Sequence, residues 1–134
     1  MSDRYMLDTN ICIYIIKNNP ISVRQKFEQI SASNLVLSMV TLAELRYGAE
    51  KSQAREKAIK AIDQLSRHIQ IAELDEVVAE HYADIRAQLE RQGKPIGNND
   101  LWLAAHARAK NWVLVSNNTR EFERVVGLRL ENWA

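Results

Sequence analysis

Short apolar runs alternate with longer amphipathic segments along the chain. The runs are five or six residues long and rich in Val, Ile, Leu and Met, which is typical of buried strands. They predict strands over 4–8, 35–40, 69–74, 112–116 and, at an edge, 127–132. The segments between them have helical spacing and predict helices over 10–17, 21–31, 42–50, 53–68, 75–92 and 100–111.

Strands that alternate with helices are typical of a parallel sheet covered by helices on both faces. The pattern therefore predicts an α/β fold, a three-layer α/β/α sandwich whose central sheet has about five, mainly parallel strands. At 134 residues the chain is predicted to form one domain, 1–134. In such open sheets, ligands bind at the carboxyl ends of the strands.

Composition places the chain among ordinary globular proteins, with 46% hydrophobic and 26% charged residues. No apolar run approaches the roughly 20 residues of a membrane span, and the run at 11–16 is too short for a signal peptide. Cys12 is the only cysteine, so no intrachain disulfide can form. We therefore expect a cytoplasmic protein without membrane attachment.

The formal net charge of +1 excludes a global basic field, so any nucleic acid must bind through a local patch. Basic residues bunch within 46–60, 86–94 and 120–124, but glutamates are interleaved with them. The bunches are therefore also consistent with solvated helix faces.

Three acids lie close to predicted strand ends or helix starts: Asp8, Glu44 and Asp100. Each has a capping interpretation, because acids favour helix N-termini. Thr41 and Glu44 have the spacing of a capping box, with Thr41 as the cap. Asn99 and Asp100 suit a cap and a first turn.

Considered together, the three acids predict a metal site. Helices that follow parallel strands begin at one edge of the sheet, so these carboxylates can converge there. Neighbouring carboxylates repel one another unless a cation lies between them. With no His or Cys nearby, an all-oxygen pocket favours Mg²⁺ or Mn²⁺ over zinc. Such an ion suits chemistry on a phosphodiester.

Four motifs at these positions resemble those of PIN-domain ribonucleases and, more narrowly, of the VapC toxins of bacterial toxin–antitoxin pairs. They are MLDTN (6–10), TLAELRYGAEKS (41–52), PIGNNDLWLAAHA (95–107) and VLVSNNTREF (113–122). The resemblance covers nearly the whole chain, in order. It implies a PIN-like fold that agrees with the sheet predicted above.

The resemblance also implies roles for the acids. Asp8 and Asp100 are expected to ligate Mg²⁺ (or Mn²⁺) most directly, with Glu44 nearby. Many members carry a fourth acid in a Thr-x-Asp pattern after the last core strand. This chain has Ser116 and Asn118 there, so Asn118 would stand in the catalytic pocket with an amide oxygen directed at the water around the ion.

Other residues are candidates for supporting roles. Thr9 and Asn10 can cap the first helix and steady Asp8. Ser116 can orient a water or a phosphate, or it can simply end its strand. His106 lies on a different helix face from Asp100 and is expected to be structural rather than a proton shuttle.

Cationic side chains near the acids are candidate contacts to RNA phosphates. They are Arg46, Lys51, Lys94 and Arg120. Gly48 can allow close packing of its backbone, although glycine within a helix costs about 1 kcal/mol relative to alanine.

The function hypothesis is a Mg²⁺-dependent endoribonuclease toxin that cleaves structured RNA, with a tRNA anticodon loop as the expected target, and so inhibits translation. The resemblance implies a homodimer, a VapB-type antitoxin with an Arg near the carboxylates, and contact with operator DNA only through that antitoxin. Two alternatives remain. One is a non-catalytic binding module whose acids only cap helices. The other is a phosphotransferase with Asp8 as nucleophile, although Asn10 stands where such folds usually place a second acid.

Overall fold

The computed structural model describes residues 3–134, which form a five-stranded sheet between two layers of helices. All neighbouring strands are parallel, in the order β3-β2-β1-β4-β5. The strands are β1 (Tyr5–Leu7), β2 (Leu35–Ser38), β3 (Gln70–Ala72), β4 (Val113–Val115) and β5 (Arg129–Glu131). The helices are α1 (Thr9–Lys17), α2 (Ile21–Gln29), α3 (Met39–Glu50), α4 (Arg55–Ser66), α5 (Glu76–Arg91), α6 (Asn98–Lys110) and the short α7 (Thr119–Phe122).

The two faces of the sheet bury alternate residues of each strand, as expected for a sheet covered on both sides. One core packs α5, α6 and α7 against the face that carries Met6, Val36 and Leu114. The other packs α1 to α4 against the face that carries Leu7, Leu37 and Val115. The predicted three-layer α/β/α sandwich is therefore confirmed.

The strand order creates a crevice beside β1. The chain runs outward from β1 through β2 to β3, and then returns to the other side of β1 with β4 and β5. Leu7 pairs with Val115, and the backbone N–H of Asp8 donates to the carbonyl of Val115 at 3.0 Å. In open α/β sheets, ligands bind at the carboxyl ends of strands where the order reverses in this way. The ends of β1 and β4 are that point here.

Most predicted elements lie within two residues of the observed bounds, but α3 begins three residues earlier than predicted. Residues 39 and 40 continue an apolar run and were predicted as strand, whereas β2 ends at Ser38. The short helix α7 was not predicted. The fifth strand is at the sheet edge, as expected. Within residues 3–134, no helix is long and apolar enough to cross a membrane.

Candidate active site

A pocket of about 150 Å³ opens at the crevice between β1 and β4, and the three acids all line it. The remaining lining comes from α1, from α6 and from the segment after β4: Thr9, Asn10, Leu103 and Asn118. The convergence predicted from the sequence is therefore observed for Asp8, Glu44 and Asp100.

Asp8 is both a helix cap and a wall of the pocket. Its Oδ1 accepts a hydrogen bond from the backbone N–H of Ile11 at 2.9 Å, which caps α1. Burial raises the pKa of Asp8, and the negative charge of Glu44 adds to this, while hydrogen bonds from Ser116 and Ile11 oppose it. The prediction that Thr9 and Asn10 cap this helix is wrong, because Asp8 occupies the cap and both residues lie in the first turn.

Glu44 lines the pocket and takes no part in capping α3. The cap is Ser38, whose hydroxyl accepts from the backbone N–H of Val40 at 3.2 Å. The predicted capping box is therefore wrong. Thr41 lies inside the helix, fully buried, and its hydroxyl has no hydrogen-bond partner within residues 3–134. Glu44 is in the second turn, where its carboxylate has no backbone donor to cap and lines the pocket instead.

Asp100 lies in the first turn of α6, which begins after Gly97 without a side-chain cap. Asn99 is inside the helix, so its predicted capping role is wrong as well. The pKa of Asp100 is raised to about 6, chiefly by burial and then by the charges of Glu121, Glu44 and Asp8. Burial and the neighbouring carboxylates therefore both disfavour the charged form of Asp100.

Asn118 faces the acids with its amide nitrogen. Its Nδ2 donates to Asp100 Oδ2 and to Glu121 Oε2, both at 3.3 Å. The expectation that its amide oxygen is directed into the pocket is therefore wrong, because two carboxylates compete for the donor end of the amide.

Glu121 is the acidic residue that the sequence analysis missed. It lies in α7 and raises the pKa of Asp100 more than Glu44 or Asp8 does. The signal that could have found it is its spacing, three residues after Asn118, which places the two side chains on one face of a helical turn.

The donor set fits a hard divalent cation. Three carboxylates and the two amides of Asn10 and Asn118 line the pocket, and no Lys or Arg of the described residues does. Burial and mutual repulsion raise the pKa of Asp8 and Asp100. Within residues 3–134, however, no three His, Cys, Asp or Glu side chains are already close enough together to hold a metal ion. A cation would have to draw the carboxylates closer together.

The hydroxyl of Ser116, a residue predicted to support the site, links two residues of the pocket. It is fully buried, accepts from the backbone N–H of Asn118 at 2.9 Å and hydrogen-bonds Asp8. A separate hydrogen bond joins α1 to the same segment, because Asn10 Nδ2 donates to Asn117 Oδ1 at 3.4 Å. The side chains after β4 therefore hold the end of β1 in place.

The four predicted phosphate contacts lie outside the pocket lining. Arg46 is paired with Asp63 at 3.4 Å on the exposed surface. Lys51 Nζ lies 4.7 Å from the ring centroid of Tyr47. Lys94 and Arg120 are exposed, and neither has an acidic partner in the part of the chain that the structure describes.

His106 lies in the core rather than in the pocket. It is fully buried, and its Nδ1 is 2.9 Å from the hydroxyl of Ser38. This contact connects α6, which carries Asp100, to the cap of α3, which carries Glu44. Burial and the nearby charge of Lys110 lower the pKa of His106 to about 4, so the ring is neutral at physiological pH.

Comparison with known proteins agrees with this geometry. The PIN domain family profile matches residues 5–128. The protein named tRNA(fMet)-specific endonuclease VapC from Shigella flexneri is 49% identical over 131 residues, covering 98% of each chain. Ribonuclease VapC2 from Haemophilus influenzae is 48% identical over 130 residues, covering 97% of this chain and 98% of the relative.

The fold also matches that of a solved structure. The crystal structure of DNA-bound VapBC from Salmonella typhimurium matches with a TM-score of 0.92 and 41% identity, over 99% of this chain and 100% of that chain. Matches of this identity over nearly the full length of both compared chains show that this chain belongs to the PIN domain family and, within it, to the VapC proteins.

Proposed function

We propose that this protein is a metal-dependent endoribonuclease, the toxin of a toxin–antitoxin module, acting in the cytoplasm. The observation that carries the proposal is the shared pocket of Asp8, Glu44 and Asp100 at the switch point of the sheet. The names of the similar proteins, ribonuclease and tRNA(fMet)-specific endonuclease, support the reaction class.

The proposed cofactor is one Mg²⁺ or Mn²⁺ ion, held by Asp8 and Asp100 with Glu44 nearby. When bound, such an ion lowers the pKa of a water and neutralises charge that develops on the phosphodiester. Glu121 supplies the fourth negative charge that Asn118 lacks. Because Asp100 has a pKa of about 6, metal binding near that pH should release a proton from the pocket.

The protein's own groups prepare this site before any ion arrives. The backbone N–H of Ile11 and the hydroxyl of Ser116 fix the carboxylate of Asp8. Asn118 holds Asp100 and Glu121 together through its amide nitrogen. If Asp100 and Glu121 turned toward a bound cation, the amide nitrogen of Asn118 would be free to donate to an oxygen of the scissile phosphate.

The proposed substrate is a structured RNA with an unpaired loop, in particular a tRNA anticodon loop. The pocket is open to solvent and small, so an unpaired strand whose bases can be splayed apart fits better than a duplex. The name of the relative from Shigella flexneri makes the initiator tRNA the first substrate to test.

The proposed protein partner is a VapB-type antitoxin. An apolar groove of about 330 Å³ lies between α1, α3 and α4, and Thr9 and Glu44 line both this groove and the acidic pocket. A segment in the groove would reach the carboxylates, where an Arg can pair bidentately with one of them. We also propose that the protein forms a homodimer. Operator DNA would contact only the antitoxin.

The test of function is the variant Asp8→Asn. The amide keeps an oxygen for the N–H of Ile11 but loses the charge that binds the cation, so RNA cleavage should be abolished while the fold is retained. Glu28→Gln, at an exposed position of α2, is the matched control and should cleave normally. Full ribonuclease activity in Asp8→Asn would refute the proposed site.

Two further measurements separate the rival functions. No uptake of Mn²⁺ and no EDTA-sensitive cleavage would favour a binding module. An acyl phosphate on Asp8, detected by mass spectrometry, would favour a phosphotransferase.

A further inference from the structure

One large aromatic side chain is exposed on the helix that carries Glu44. Tyr47 is 66% exposed, and Lys51 Nζ lies 4.7 Å from the centroid of its ring. Tyr47 follows Glu44 by three residues within α3, and Lys51, the C-cap residue at the end of the helix, follows it by seven. All three side chains therefore lie on one side of the helix. At 1.5 Å per residue, they lie about 4.5 Å and about 10 Å further along the helix axis than Glu44.

The fold itself makes little use of this pair. Tyr47 belongs to neither core, and its hydroxyl makes no hydrogen bond within residues 3–134. Lys51 has no acidic partner there, whereas Arg46 and Arg55 are paired with Asp63 and Glu50. Within residues 3–134, an exposed ring beside a cation that no acidic side chain pairs therefore has no evident role in the fold.

The pair also lies outside the apolar groove proposed for the antitoxin. Leu45, Gly48 and Ala49 of α3 line that groove, whereas Tyr47 and Lys51 do not. The two sets lie on either side of Glu44 around the helix. A ligand that extends from the acidic pocket onto Tyr47 and Lys51 therefore follows a different path from a peptide in the groove.

The chemistry of the pair suits an unpaired nucleotide. A base of any identity can stack on an aromatic ring, and an adjacent Lys can pair with the phosphate that follows. The acidic pocket repels phosphates on its own, so a cation just beyond it is well placed to retain the strand.

We propose that Tyr47 and Lys51 form a stacking platform for one unpaired nucleotide of the RNA strand next to the cleavage pocket. Tyr47 stacks on the base and Lys51 binds a phosphate. The proposal rests on the proposed ribonuclease function and adds a binding subsite to it.

The experiment measures binding of a labelled single-stranded RNA oligonucleotide of mixed sequence in the Asp8→Asn background, where the strand is not cut. Adding Tyr47→Leu should weaken binding about five- to hundredfold, the range expected for loss of one stacked base. Tyr47→Phe keeps the ring and should retain the parent affinity. Ile21→Ala, which truncates a side chain that is 68% exposed on α2, is the surface control and should also bind normally.

Lys51→Met tests the phosphate contact separately. It should reduce the slope of log affinity against log salt concentration by about 0.7, the value for one phosphate on a single strand. With Asp8 intact, Tyr47→Leu should raise KM for RNA cleavage and leave kcat nearly unchanged, which loss of folding would not do.

Each outcome has one interpretation. Unchanged RNA affinity and unchanged KM in Tyr47→Leu would overturn the platform, and the nuclease assignment would survive if Asp8→Asn alone is inactive. Cleavage by Asp8→Asn would instead overturn the nuclease assignment. If Tyr47→Leu binds RNA normally but no longer associates with a second copy or with an antitoxin, the surface is a protein interface and the platform is wrong.

Discussion

Replacing Asp100 with Asn should make the protein more stable while it abolishes cleavage. Burial, Glu121, Glu44 and Asp8 raise the pKa of Asp100 to about 6 from an ordinary value of 3.8. A shift of about two units corresponds to about 3 kcal/mol against the charged form. Asp100 is only half-buried, so solvent screening reduces this to about 1–2 kcal/mol. The favourable position in a first helical turn offsets about 0.3–1 kcal/mol, which leaves a net gain of about 1 kcal/mol for Asn.

The gain in stability of Asp100→Asn over the parent should increase with pH. Between pH 3.8 and about 6, Asp100 of the unfolded chain has lost its proton while that of the folded chain retains it. The unfolded state therefore binds fewer protons, and the free energy of unfolding of the parent falls as pH rises through this window. The advantage of Asp100→Asn should be absent near pH 4 and complete above about pH 6.5.

The assay is urea unfolding followed by tryptophan fluorescence, from pH 4 to pH 8, in EDTA. Asp75→Asn is the matched control, because Asp75 also lies at a helix N-terminus but Lys110 and the N–H of Val78 lower its pKa. That variant should gain no stability at neutral pH. An Asp100→Asn protein that is less stable than the parent at pH 8, or whose advantage does not change with pH, would show that Asp100 is not destabilised by its surroundings.

Three further changes have expected outcomes. The pKa of His106 is lowered to about 4, so the free energy of unfolding of the parent should fall by up to about 3 kcal/mol as pH falls from 6.5 toward 4. In urea unfolding, His106→Gln should show a weaker dependence on pH over this range. Gly48→Ala should raise the free energy of unfolding by about 0.5–1 kcal/mol, because Gly48 is inside a helix and a Cβ there meets nothing within 4 Å; a lower melting temperature would contradict this. Glu121→Gln should weaken Mn²⁺ binding in calorimetry and lower the pKa of Asp100, and unchanged affinity would remove Glu121 from the metal site.

The layers of the fold could be predicted from the sequence because apolar runs and helical periodicity are local signals. The position of the acids followed from the rule that parallel strands end at a common edge, and this placed Asp8, Glu44 and Asp100 together. The start of α3 could not be predicted in this way. Its cap, Ser38, contacts His106, which is 68 positions away along the chain, and no local pattern reports that contact.

The part of the site that follows β4 also could not be predicted from local sequence patterns. The helix α7 has four residues, too few for a periodic signal, and it is held in place by the buried side chain of Phe122. Glu121 therefore belongs to no periodic pattern, and only its spacing from Asn118 indicates a position near the acids. The amide orientation of Asn118 depends on two carboxylates from different segments, Asp100 and Glu121, so it too is a property of the assembled fold.

The proposed function requires that carboxylates far apart in the sequence share one divalent cation. Anomalous diffraction from crystals soaked in Mn²⁺ tests it most directly. We expect a single peak between the carboxylates of Asp8 and Asp100, which disappears in Asp8→Asn. A blank map at that position, from crystals of a protein that cleaves RNA in the same buffer, would contradict it.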